Sequence, residues 1–288
     1  MNKLIGHEKT FNNLKNLYEL NNLPNKIIIN GKKGIGKFHL IKKLLNIIYK
    51  DINNSEDFIE NMTHPNIFYI HKYFDKKFID ISQIREMIKF QNNSSFNNKV
   101  RSIVIDDLEF LNINSSNALL KSLEEPNNNV MFFLINNSEY KILETIKSRC
   151  IEYKTLLNTS EIKDIVNNYF SENKYDKLSK NFFCYYNSPS FLISLINYMN
   201  ENNIDIENIT INKFFFNFIN NKHFLRDTFI SGNLNYFIEL FFYKNINLTN
   251  NITYDIKDYF YKKFAEIKKY NLDLETYFLE FQEKLLNE

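Results

Sequence analysis

Gly31-Lys32-Lys33-Gly34-Ile35-Gly36-Lys37-Phe38 is the stretch that decides the fold. It has the spacing of a phosphate-binding loop, G-x-x-x-x-G-K followed by Ser or Thr, except that Phe38 stands where the hydroxyl residue belongs. Gly31, Gly34 and Gly36 let backbone N–H groups turn toward phosphate oxygens, and Lys37 adds an ammonium. The missing hydroxyl is the group that would hold Mg²⁺. Three of the five glycines in the 288-residue chain fall in this octapeptide. Taken alone it also fits a Gly-rich turn between a strand and a helix, so its flanks must decide.

Upstream, Lys26-Ile27-Ile28-Ile29-Asn30 is a short β-branched run introduced by Pro24, the pattern of a buried parallel strand. Downstream, Leu40, Ile41, Leu44, Leu45 and Ile48 recur at helical spacing, which puts the loop at a helix N-terminus where anions are stabilised. A helix over residues 7 to 21 precedes the strand, with Phe11, Leu14, Tyr18 and Leu20 on one face. Further strands are expected at 67–70, 100–105 and 130–135, with helical patterns between them at Ile81, Ile84, Ile88 and at Ala118, Leu119, Leu123. Strands alternating with helices mean a parallel α/β sheet. After about Tyr153 the strand signal fades. A helix opens near Thr159 or Ser160 as N-cap, another follows Pro189, and segments 212–222, 233–244, 252–269 and 273–286 read as a terminal helical bundle.

The chain has ample apolar content for globular cores, and no apolar stretch approaches the roughly 20 residues of a membrane span. Met1 to Glu8 lack the apolar segment of a signal peptide, so a cytoplasmic location and no membrane contact are expected. Cys150 and Cys184 cannot build a disulfide framework, and five scattered histidines give no zinc spacing. A net charge of +2 carries no global signature for nucleic acid. Of 36 basic residues only Arg85, Arg101, Arg149 and Arg226 are arginine. Phe214, Phe215, Phe216, Phe218, Phe241 and Phe242 read as an aromatic core, with an intersubunit surface as the alternative.

A P-loop ATPase needs a second motif, a buried strand ending in an acid, and Ser102-Ile103-Val104-Ile105-Asp106-Asp107 supplies it. Asp106 sits where an aspartate would act on Mg²⁺ through its water shell, and Asp107 where a hydrolytic enzyme usually has a glutamate. Asn136 ends the 130–135 strand at a sensor position, or is simply a polar strand terminus.

Asn117-Ala118-Leu119-Leu120-Lys121-Ser122-Leu123-Glu124-Glu125-Pro126 follows, then Phe132 to Asn137, then Thr145-Ile146-Lys147-Ser148-Arg149-Cys150. This succession resembles the clamp-loader branch of the AAA+ ATPases. From His64-Pro65 through Ile84-Arg85-Glu86 to Cys150 it is most similar to the delta-prime subunit family of bacterial DNA polymerase III. The resemblance covers residues 1 to about 155 and is architectural beyond. It implies an α/β P-loop (AAA+) domain over 1–155, a small helical lid over 156–204 and an all-helical collar over 205–288. By resemblance Arg149 is an arginine finger, reaching a neighbouring subunit's ATP. A guanidinium suits that role because it can bind two γ-phosphate oxygens at once. The alternative reading of Arg149 is a surface arginine paired with a nearby acid.

Three departures bear on the chain's own site: Phe38 lacks the metal hydroxyl, Asp107 is one methylene short, and Ser190 in Asn187-Ser188-Pro189-Ser190 replaces a sensor arginine. Together they remove groups that position metal, water and phosphate, on which phosphoryl transfer depends. Gly31, Gly34, Gly36, Lys37 and Asp106 are therefore expected to form a degenerate nucleotide site, binding ATP weakly or not at all. Residues 50 to 63 contain no cysteine, so the zinc module of many relatives is not carried over. The implied function is a largely non-hydrolysing ring member, with gamma/tau motor subunits, a delta subunit, the sliding clamp and primer-template DNA as partners. The alternatives are an active motor using Lys37 and Asp106 despite Phe38, and a P-loop adaptor with unrelated partners. No palm-like acidic constellation is present, so polymerase activity would belong to a holoenzyme.

Overall fold

The structure is a computed structural model that describes residues 4–50, 55–73, 76–93, 99–124, 129–138, 140–183, 187–245 and 254–286. Cys184, and the Glu125-Pro126 end of the decapeptide, lie outside the described residues. The chain divides into two compact units, Met1–Ile165 and Val166–Glu288.

The first unit runs α1 (Glu8–Glu19), β1 (Lys26–Asn30), α2 (Lys37–Ile48), α3 (Ser55–Glu60), β2 (Ile67–Ile70), α4 (Ile81–Asn92), β3 (Arg101–Ile105), α5 (Ile113–Glu124), β4 (Val130–Asn136), α6 (Glu144–Lys147) and β5 (Ile151–Lys154). All strand pairings are parallel, in the order β2-β3-β4-β1-β5. Because side chains alternate along a strand, each strand feeds two cores. Ile27, Ile29, Val104, Phe133 and Ile135 face one core, with Leu40, Ile41, Leu44, Leu45 and Ile48 of α2. Ile28, Ile103, Ile105, Phe132 and Leu134 face the other, with Ile84 and Met87 of α4 and Leu119 and Leu123 of α5. Each of α2's fully buried side chains contributes roughly 2 kcal/mol by leaving water, which anchors the helix that receives the loop.

Two local features differ from the sequence reading. β5 pairs with β1 at the sheet edge, yet Ile151 is half exposed, so the strand lacks the apolar run that marks its neighbours. The helix over Thr159–Phe170 (α7) is capped one residue early. Asn158 Oδ1 accepts the Glu161 N–H at 2.9 Å while Glu161 Oε2 accepts the Asn158 N–H at 2.7 Å, a reciprocal capping box.

The second unit is helical: α8 (Lys174–Lys177), α9 (Pro189–Glu201), α10 (Ile211–Asn220), α11 (His223–Arg226), α12 (Thr228–Gly232), α13 (Leu234–Asn245), α14 (Tyr254–Tyr270) and α15 (Leu274–Leu285). Its core is aromatic. Phe214, Phe215, Phe218, Phe241 and Phe242 are buried, whereas Phe216 is exposed. Phe215 stacks on Phe281 at 5.3 Å and meets Phe241 at 4.9 Å, which ties α10, α13 and α15 together. Phe191 and Tyr198 of α9 pack against Phe237 and Phe214. Among the described residues no helix is long and apolar enough to cross a membrane.

Candidate functional site

Three segments meet at the C-terminal edge of the parallel sheet, where α/β folds gather their ligand sites. The loop follows β1, Asp106 follows β3, and Asn136 and Asn137 close β4, which lies between those two strands. Gly31 is required by contact: a Cβ there would stand 2.5 Å from both the carbonyl oxygen and Oγ1 of Thr155. Gly34 and Gly36 adopt φ of +77° and +92°, and Gly36 is the left-handed residue from which α2 starts.

Lys37, the first residue of α2, is buried. Its ammonium turns back into the loop, donating to the carbonyls of Gly31 at 2.8 Å and Lys32 at 2.5 Å. Burial pushes its pKa down to about 8, opposed by the negative charges of Asp106, Glu109 and Asp107. Asp106 moves the other way, since burial and the neighbouring Asp107 raise its carboxyl above the usual range. Lys37, in the loop that holds Gly31, Gly34 and Gly36, is thus within electrostatic reach of Asp106.

Phe38 sits among aromatic and cationic neighbours. The Phe38 ring lies 5.1 Å from that of Tyr69, and the Lys42 ammonium sits 5.0 Å from the Phe38 centroid. Burial, then Asp106 and Asp107, raise the Tyr69 phenol. Asp107 has φ +56° and accepts from Asn137 Nδ2 at 3.0 Å, so its carboxylate is engaged by the chain itself. The loop and Lys37 suit a phosphate; Phe38 does not suit Mg²⁺. Among the described residues, no three His, Cys, Asp or Glu side chains come together as a metal-holding group.

Three residues of this site escape the sequence reading. His7 is buried and its Nε2 lies 2.7 Å from the Ile35 carbonyl, so it carries the proton there and holds the loop from outside. A lone histidine ahead of an amphipathic helix gives no signal of that. Glu109 is buried, accepts the Asn137 N–H at 3.1 Å and is one of the charges acting on Lys37. Asn137, rather than Asn136, reaches the acidic segment. Asn136 is in register with Asn30 and donates to its Oδ1 at 3.0 Å. Strand pairing dictates that division: the last paired residue faces the next strand's end, and the one beyond is released to turn elsewhere.

Arg149 lies in the turn between α6 and β5. Its NH2 donates to Glu124 Oε1 at 2.6 Å, while NH1 donates to the Thr145 carbonyl at 2.8 Å and approaches Ser148 Oγ at 3.5 Å. About a third of its side chain is exposed. The next residue, Cys150, is half-buried, and burial pushes its thiol up to about 11, so it is inert as a nucleophile. Ser190 is exposed in the first turn of α9, in the second unit.

Several known proteins are similar to this chain. The DNA polymerase III subunit delta' of Pseudomonas aeruginosa is 34% identical over 90 residues, 31% of this chain and 27% of that protein. Its counterpart from Buchnera aphidicola subsp. Schizaphis graminum is 30% identical over 182 residues, 59% and 54% of the two chains. The DNA polymerase III subunit gamma of the same organism is 24% identical over 224 residues, 72% and 61%. The chain thus spans between about a quarter and three fifths of the length of these relatives. A DNA polymerase III gamma subunit-related protein from Thermotoga maritima gives a TM-score of 0.43 at 23% identity, over 54% of this chain and 49% of that one. Residues 6–156, just over half of the chain, match the family described as DNA polymerase III, delta subunit. The chain therefore belongs to that family, as a delta-prime-like member of the clamp-loader branch of the AAA+ ATPases.

Proposed function

We propose that this chain is a largely non-hydrolysing clamp-loader subunit that completes a heteromeric ring and donates Arg149 to a neighbouring ATPase during sliding-clamp loading. The observation that carries the reading is the contrast of two cations. Lys37 is buried and spent on its own loop's carbonyls, whereas Arg149 stands part-exposed in the Ser-Arg-Cys turn. Phosphoryl transfer is accelerated by positioning and charge, and an arginine supplied in trans stabilises the charge spread over the γ-phosphate. The chain's own site lacks the metal hydroxyl and has its second aspartate engaged by Asn137.

On this reading residues 1–155 form the ring's P-loop domain, 156–204 a lid and 205–288 the collar that joins the subunits. Unlike subunits meeting head to tail let one member lose catalysis and still serve its neighbour. The partners are gamma/tau motor subunits, a delta subunit, the clamp and primer-template DNA, in the cytoplasm. ATP binds this chain's own loop weakly or not at all.

A second reading, an active motor, is favoured by the gamma relative, which aligns over 72% of the chain, and by the proximity of Lys37 to Asp106. ATP binding and steady-state hydrolysis by the isolated chain, with Lys37→Ala as control, separate the two. Absence of turnover in the isolated chain supports the passive member. Turnover abolished by Lys37→Ala establishes the motor.

A further inference from the structure

We propose that Glu124 is the resting partner of Arg149. It holds the guanidinium on the subunit's own surface until a neighbouring subunit's nucleotide phosphate displaces the carboxylate. The proposal rests on the reading of Arg149 as a finger acting in trans, and adds to it a second position for the side chain and a residue that governs the exchange.

The argument starts from the donor inventory. A guanidinium grips a phosphate through two parallel N–H bonds, and its two terminal nitrogens are the natural pair for this. In this chain both are engaged. NH2 donates to Glu124 Oε1 at 2.6 Å, and NH1 to the Thr145 carbonyl at 2.8 Å, with Ser148 Oγ at 3.5 Å. Each terminal nitrogen keeps a second N–H, so what sets this arrangement against a phosphate is charge: the Glu124 carboxylate 2.6 Å from NH2 neutralises the guanidinium and repels a second anion, and a finger that clasps a phosphate must let that carboxylate go.

The construction of the two ends suits an exchange. Glu124 is the last residue of α5, and Arg149 follows the single turn of α6, so the pair joins two helix ends across the surface. The Arg149 side chain is 34% exposed and that of Glu124 51%, which lets an incoming anion reach the pair without opening the core. An exposed ion pair of this kind favours its closed form only about two- to fivefold. A terminal phosphate offers more charge and three oxygens against one carboxylate, so it can take the guanidinium over. Without a phosphate, the pair keeps a long, flexible cation from searching the solvent.

The experiment uses the ring assembled with its motor subunits, and ATP as the varied ligand. Glu124→Gln keeps length and an acceptor oxygen but removes the charge. The neighbour's KM for ATP is expected to fall about two- to fivefold with kcat unchanged, and this effect is expected to vanish in an Arg149→Ala background. If Arg149→Ala itself leaves the neighbour's turnover unchanged, the finger reading fails and the exchange with it. If Arg149→Ala slows the neighbour but Glu124→Gln leaves KM where it was, or lowers kcat, the finger stands and Glu124 is not its resting partner. A second readout needs no ring. In the isolated chain, phenylglyoxal modification of Arg149, located by mass spectrometry, is expected to run two- to fivefold faster in Glu124→Gln. Equal rates would overturn the proposal.

Discussion

The chain carries two cations suited to phosphate, and the fold treats them in opposite ways. Lys37 is enclosed at the start of a buried helix, with its ammonium given to the Gly31 and Lys32 carbonyls and its pKa pushed down to about 8. Arg149 is left at the surface, held by a carboxylate that solvent also reaches. A phosphate-binding motif can therefore persist as a folded loop whose lysine is bonded to the loop's own carbonyls, while Arg149, a different residue, is reachable from outside. The difference lies in placement relative to the core: a group that has lost its water must find partners within the chain, and Lys37 found them in its own loop.

The outward half of this comparison predicts the largest effect. In an assembled ring, Arg149→Ala is expected to lower the neighbour's ATP turnover by about 10³-fold, close to 4 kcal/mol of transition-state stabilisation. Lys37→Ala is expected to leave that rate within about twofold. Steady-state hydrolysis by the ring with each variant checks both, and equal losses would remove the distinction.

The inward half predicts a pH dependence. Folded Lys37 releases its proton near pH 8, whereas the unfolded chain keeps it to the ordinary lysine value near 10.5. The unfolded state therefore binds more protons across that window, and the group's contribution to stability rises with pH. Relative to Lys37→Met, the wild-type unfolding free energy should increase by about 3 kcal/mol between pH 8 and 10.5. Urea melts of the two proteins at several pH values provide the comparison. A flat difference would mean that Lys37 is solvated.

His7 sharpens the same point with a smaller effect. Removing its Nε2–H leaves the buried Ile35 carbonyl without its donor, so His7→Ala should cost about 1–3 kcal/mol in the same melts. His7→Gln, which can restore a donor, should recover part of that loss. If the two variants behave alike, the hydrogen bond is not what holds the loop.

How legible all this was in the sequence follows from the reach of each signal. The loop, β1 and α2 are local: three glycines, an isoleucine run and a helical stripe lie within about twenty residues, and all three appear where the pattern puts them. The inward turn of Lys37 is not legible, because spacing reports where a lysine sits and not which carbonyls it finds. His7 lies 28 residues from Ile35, and Asn137 lies 30 from Asp107, so only the assembled sheet reveals those pairs. β5 escapes because an edge strand with an exposed face has no buried run to display. The Ser-Arg-Cys tripeptide draws attention to Arg149 and leaves a pair with a nearby acid open, but only the fold shows that the acid is Glu124, 25 residues upstream.

The smallest expected effect tests whether the comparison is reversible. Phe38→Thr restores the hydroxyl at the end of the loop and removes a ring that packs on Tyr69 and carries the Lys42 ammonium over its face. Phe38 is only partly buried, so the lost packing should cost about 1 kcal/mol. Turnover should not appear. A hydroxyl adds one metal ligand, but Lys37 would still have two of its three N–H groups on its own loop's carbonyls, and Asp107 would still be held by Asn137. Catalysis by positioning needs these groups at once, so restoring one leaves the others misplaced. Hydrolysis by isolated Phe38→Thr, measured beside wild type at saturating ATP and Mg²⁺, decides the matter. Clear turnover would show that the inward loop is one side chain away from a working site, and that the opposition between Lys37 and Arg149 reflects Phe38 alone.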